Sequence, residues 1–192
     1  MLIGEKIEQK TVFDHWALVD YEKQLQLEGL KGPELQEEAN RRLMRDHGGT
    51  IQHLPKNIIW HKATIQESDT NNIYVMSEPS WDEICDNSTL VKVAQKVDIR
   101  EEPNGGHCSK IRDLREYLLR GQSLEGSFIM ITRDKTDPFT IIDGNHRLTA
   151  FHLVNRLVGL TGYVGFSPLV VNCCPWTRRT PFGYTIRLDK ES

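Results

Sequence analysis

Residues 138–158 read PFTIIDGNHRLTAFHLVNRLV, and the rest of the 192-residue chain is arranged around them. Thr140, Ile141 and Ile142 follow a proline and stop at Asp143-Gly144, which reads as a short buried strand breaking at a turn that needs glycine's backbone freedom. A helix follows at once. Leu148, Phe151, Val154 and Val158 recur every three or four residues, with Ala150 and Leu157 alongside, while Asn145, Thr149, His152 and Arg156 fall on other sides. Gly159 is expected to stop this helix. The first N–H groups of a helix have no intrahelical partner and its dipole makes that end electropositive, so it can hold an anion, most often a phosphate. His146 and Arg147 sit in the first turn, where acidic residues are usual, and add cations to a positive end. Either both are solvated, or an anionic ligand removes the conflict.

Working outward, residues 127–132 (SFIMIT) read as a buried strand, and residues 133–138 as a hairpin-like turn leading back into the motif strand. Residues 109–121 carry Ile111, Leu114, Leu118 and Leu119 on one stripe, with Ser109 as a candidate N-cap and Gly121 as a C-cap residue. Val97 to Arg100 alternates like a strand before the loop that starts at Glu101-Glu102, and residues 169–172 read as a further core strand. The first 47 residues are mostly helical in pattern. Val12, Trp16 and Val19 recur at helical spacing, and Gly32-Pro33 opens a second helix with Leu35, Ala39, Leu43 and Met44 on its apolar stripe, expected to end at Gly48-Gly49. Strands are expected at residues 57–60 and 73–76, a capped helix start at residues 80–83, and a helix over residues 89–97.

The element IIDGNHRLTAF resembles the signature of the ParB/sulfiredoxin superfamily, in which a hydrophobic strand, a D-G-x-H-R-like turn and a small-residue-rich helix hold nucleotide phosphates. The resemblance covers residues 97–174 and implies an α+β fold: a small mixed sheet with packed helices, plus a mainly helical N-terminal extension. It implies a division into an extension over residues 1–90 and a nucleotide-binding domain over residues 91–192, forming one compact unit. It also implies that Gly144, Asn145, His146 and Arg147 line a phosphate pocket, with Thr149 behind them and Asp143 at its edge. The nucleotide would be ATP or ADP, with Mg as its usual companion. In sulfiredoxin a catalytic Cys stands where this chain has Asn145, so sulfinic-acid reduction is not expected.

Composition narrows the rest. A net charge of -3 and 27% charged residues give no global field for nucleic acid. Apolar runs fall short of the roughly 20 residues a membrane helix needs, and the first ten residues have no signal-peptide core, so a cytoplasmic protein is expected. Cys85, Cys108, Cys173 and Cys174 have no zinc spacing. Cys173-Cys174 reads as core with a redox pair as the alternative, and Cys108 beside His107 as coincidence or an activated thiol. Arg178, Arg179 and Arg187 interleave with Trp176, Phe182 and Tyr184, which is either a basic hairpin edge or a surface for phosphate and base.

Two functions follow. In the first, an enzyme transfers a phosphoryl group from ATP or ADP to a small metabolite, or hydrolyses the nucleotide. His146 and Arg147 would then neutralise developing charge, and Glu101, Glu102 or Asp143 would handle the proton. Glu101 and Glu102 can equally be a solvated turn, and Asp143 a helix cap. In the second, the chain is a nucleotide-gated or DNA-associated ParB-like binding module, or a nuclease. The helix-turn-helix domain of ParB proteins has no room after residue 146, and no carboxylate cluster for two metals is visible.

Overall fold

The computed structural model describes residues 1–76, 79–84, 89–101, 105–124 and 127–170. Along the chain it builds β1 (Leu2–Ile7), α1 (Gln9–Leu27), α2 (Gly32–Gln52), β2 (Ile59–Thr64), a 3-10 turn over Glu67–Asn72, and β3 (Ile73–Tyr74). Then come α3 (Pro79–Asp82), α4 (Leu90–Val97), α5 (His107–Leu119), β4 (Ile129–Thr132), β5 (Phe139–Asp143), α6 (Asn145–Leu153) and β6 (Thr161–Phe166).

One mixed six-stranded sheet, in the order β1-β2-β6-β4-β5-β3, organises all of it. β4 pairs with β6 in parallel and with β5 antiparallel, while β3 joins β5 in parallel. Strands from both ends of the described chain therefore share one sheet, because β2 runs antiparallel to β6. The fold is mixed α+β.

Every residue of β4 is buried, because both faces of the sheet are covered. Ile129 and Ile131 pack with Trp16, Leu25, Leu43 and Trp60 under the pair α1–α2. Phe128 and Met130 pack on the other face with Leu90, Val93, Ile111, Leu148 and Phe151 of α4, α5 and α6. A short continuous apolar run is the sequence signature of such a strand. β6 passes this core at close range: a Cβ on Gly162 would stand 2.7 Å from Phe128 Cγ, so that position excludes any side chain.

Several expectations are corrected. The first residues form an edge strand instead of helix, with Leu2 out in solvent. α2 runs through Gly48-Gly49 to Gln52, since Gly48 packs inward and the following Ile51 still adds apolar contact. Residues 97–100 are not a strand: Val97 is the last core residue of α4, and Ile99 lies exposed beyond it. α5 begins at His107 with Gly106 as its N-cap, not at Ser109. The motif helix ends at Leu153, and Asn155 (φ 54°) and Gly159 (φ 88°) turn the chain toward β6. The strand that follows it is β6, whereas residues 168–170 turn, and residues 171–192 lie outside the described ones, as do Cys85, Cys173, Cys174 and the basic aromatic tail. Thr89 does cap α4, its side chain accepting from Lys92 N at 3.2 Å. Among the described residues, no helix is long and apolar enough to cross a membrane.

Candidate functional site

β5 delivers Asp143 to the edge of the sheet, and Gly144 turns the chain with φ 98° before α6 begins at Asn145. The left-handed conformation and the Ser127 carbonyl oxygen, 3.3 Å from where a Cβ would sit, both require glycine there. Gly144 has no side chain with which to cap the helix.

The predicted pocket residues divide at this point. Asn145 is structural, because its Oδ1 accepts from Met76 N at 3.0 Å and ties the helix start to the segment after β3. Thr149 is fully buried, and its hydroxyl donates to the Asn145 carbonyl at 2.8 Å. It faces the protein and cannot reach a ligand. Asp143, Gly144, Asn145, His146 and Arg147 all line one cavity of about 460 Å³.

Arg147 is the centre of charge. Its Nη2 donates to Asp143 Oδ2 at 2.5 Å and its Nη1 lies 3.9 Å from Asp20 Oδ1, a residue of α1. Its Nε is buried with no hydrogen-bond partner among the described residues. Burial pushes the Asp143 carboxyl above the usual range, against the pull of the Arg147 guanidinium. Asp20, Tyr21, His47 and Thr50 from α1 and α2 form the opposite wall. The sequence pattern marked these four only as parts of amphipathic helices, so nothing in it signalled that they would meet the motif. His47 Nε2 lies 3.4 Å from Asp20 Oδ2, and that interaction raises the His47 pKa above its ordinary value.

His146 carries no charge. Its Nε2 meets His107 Nδ1 at 2.8 Å, His107 Nε2 meets Ser80 Oγ at 2.9 Å, and Trp81 stacks on His107 with centroids 4.1 Å apart. Burial first, and then neighbouring His107, Lys110 and Arg147, push the His146 pKa down to about 3. The expected pair of cations is thus a neutral imidazole and a guanidinium held by two carboxylates. The same geometry separates Cys108 from His107: the thiol is fully buried in the core while the ring faces the cleft.

Other candidates do not join the cluster. Glu101 is exposed and does not line the cavity, and Glu102 lies outside the described residues. His152, half-buried, does not line it either. A larger cavity of about 540 Å³ lies over β1, β2 and β6, but its lining is mostly small and apolar and its Lys62 is paired to Glu5 at 2.7 Å. The charged cleft, not the larger cavity, brings reactive groups together. Among the described residues no group of three or more His, Cys, Asp or Glu could hold a metal. Asp143 and Asp20 both face Arg147, so the donor set does not fit a resident Mg ion. Comparisons with protein-family models, with curated proteins and with solved structures return no match.

Proposed function

We propose that the cleft at the start of α6 holds the phosphates of a nucleotide, ATP or ADP, and that the protein passes a phosphoryl group to a small metabolite or to water. The reading rests on the resemblance of the Asp143-Gly144-Asn145-His146-Arg147 turn to the ParB/sulfiredoxin superfamily. The observation that carries it is the position of Arg147, whose guanidinium stands in the cleft wall beside an uncapped helix start. Mg enters only as the counter-ion of the nucleotide's own phosphates, and no step runs through it.

In this reading the phosphates draw Arg147 from Asp143 and Asp20. The acceptor oxygen bonds to phosphorus, the bond to the departing nucleotide oxygen breaks with its electron pair, and the acceptor's proton goes to a base. His146 suits that task better than the glutamates: it is neutral, and with Nε2–H donating to His107 it keeps Nδ1 as an acceptor. His107 and Ser80 would carry the proton outward.

The test is a thermal-shift and calorimetric screen of ATP, ADP, CTP and GTP with Mg, on the wild type and on Arg147→Ala. A ligand at a hundredfold excess over its Kd should stabilise the wild type by about 2.7 kcal/mol, roughly 5–10 °C, and leave the variant unmoved. No response from the wild type to any nucleotide would sink the proposal. Binding without phosphate release would favour the other reading, a nucleotide-gated module, to which the complete pairing of Arg147 and the exposed position of Glu101 also lend support.

A further inference from the structure

The wall opposite α6 belongs to α1 and α2. It carries Asp20, Tyr21, His47 and Thr50, and none of these belongs to the motif. His47 is 37% exposed on its side chain, its ring rests on Trp16 with centroids 5.0 Å apart, and Asp20 engages its Nε2. That leaves Nδ1 as the ring nitrogen able to meet a ligand.

Building on the phosphate reading above, we propose that His47 is a second contact for the ligand's phosphate, facing Arg147 across the cleft, and that the anion binds together with a proton on His47. The argument is one of charge balance. The groups around His47 are Asp20 and Tyr21 from α1, Asp46 beside it on α2, Asp143 from β5, and His146 and Arg147 from α6. Asp46 is committed to Arg45 at 2.6 Å and accepts from the Tyr21 hydroxyl at 2.8 Å. Arg147 is committed to Asp143 and Asp20. His146 stays neutral against His107 and cannot answer a dianion. Facing two carboxylates, Asp20 and Asp143, Arg147 alone leaves a phosphate short of positive charge. An imidazolium at position 47, held by the Asp20 carboxylate, supplies it. The acids also hold the His47 pKa above its ordinary value, so the proton is available near neutrality. The helical wall would thereby select phosphate-bearing ligands and make their affinity depend on pH.

The experiment is titration calorimetry of ADP into the full chain, in two buffers of different ionisation enthalpy, between about pH 6 and about pH 9. The wild type should take up a proton on binding at the alkaline end, and its affinity should fall there by up to about tenfold per pH unit. His47→Gln should bind about tenfold more weakly at the acidic end and lose that fall, since one charge-assisted hydrogen bond is gone. ADP's own titration is common to both proteins, so the difference between the curves reports His47. Asp20→Asn keeps the imidazole but should move the loss of affinity to lower pH, a shift that a purely structural His47 would not produce. If His47→Gln does not fold, Asp20→Asn decides, and an unmoved pH profile overturns the proposal. Binding abolished by Arg147→Ala but unchanged at every pH by His47→Gln refutes the His47 contact alone. A wild type that binds no ADP removes the phosphate reading and this one with it.

Discussion

Replacing Arg147 by Met keeps the bulk of the side chain and removes its charge, leaving Asp143 buried without its cation. The two side chains are only 16% and 17% exposed, and breaking a fully buried pair typically costs about 3–5 kcal/mol. Protonation limits the damage here. A folded state that must hold Asp143 neutral pays about 4 kcal/mol at about pH 7 relative to an unfolded chain in which it ionises, and about 1.4 kcal/mol less for each pH unit down. Some of this cost is already present in the wild type, because burial raises the Asp143 pKa even beside Arg147. A carboxyl with a raised folded pKa contributes stability that is complete below its unfolded value and lost as pH rises through its folded value. Arg147→Met should therefore cost about 2–3 kcal/mol at about pH 7 and less than about 1.5 kcal/mol at about pH 5. Urea unfolding at both pH values measures it, with Arg147→Met/Asp143→Asn expected to recover most of the loss at the higher pH. A loss below about 0.5 kcal/mol, or one equal at both pH values, would refute the view that Asp143 is a buried ion held by Arg147.

Two further outcomes are expected. Because the His146 pKa lies down at about 3, its contribution to stability is complete above the unfolded value near 6.5 and is lost as pH falls below it. Its ring resonances should not titrate between about pH 5 and about pH 8 in an NMR series, and a midpoint near 6.5 would contradict the burial assigned to it. Asn145→Ala strands Met76 N and should lower stability by about 1–2 kcal/mol in denaturant unfolding; a change within error would mean that this bond does not anchor the helix start.

The motif was legible because its signals are local. A run of β-formers, a glycine with φ 98° and a helical stripe lie within a few residues of one another, and each states its own geometry. The same holds for α4, where Thr89 caps a stripe made by Leu90, Val93, Ala94 and Val97. Expectations failed where neighbours decide. β1 is an edge strand paired on one side only by β2, so burial never imposed an alternation that could be read. Gly48-Gly49 looked like a stop, but packing of α2 against α1 offsets the intrinsic cost of two glycines, about 1 kcal/mol each. Val97 and Ile99 suggested a strand by spacing, although one is core and the other solvent.

The site divides along the same line. From its own residues the sequence determined that Asp143 ends a strand, that Gly144 turns, and that His146 and Arg147 open a helix, since backbone sterics and periodicity act over a few residues. Only the tertiary structure decided their charge. Asp20 and His47 come from helices more than ninety residues earlier in the chain, and the sheet brings them against the motif because α1–α2 must bury Trp16, Leu25 and Leu43 on its face. His107 reaches His146 because α5 and α6 share the opposite face. Protonation depends on burial and on neighbours within a few ångströms, and those distances exist only once the sheet has folded.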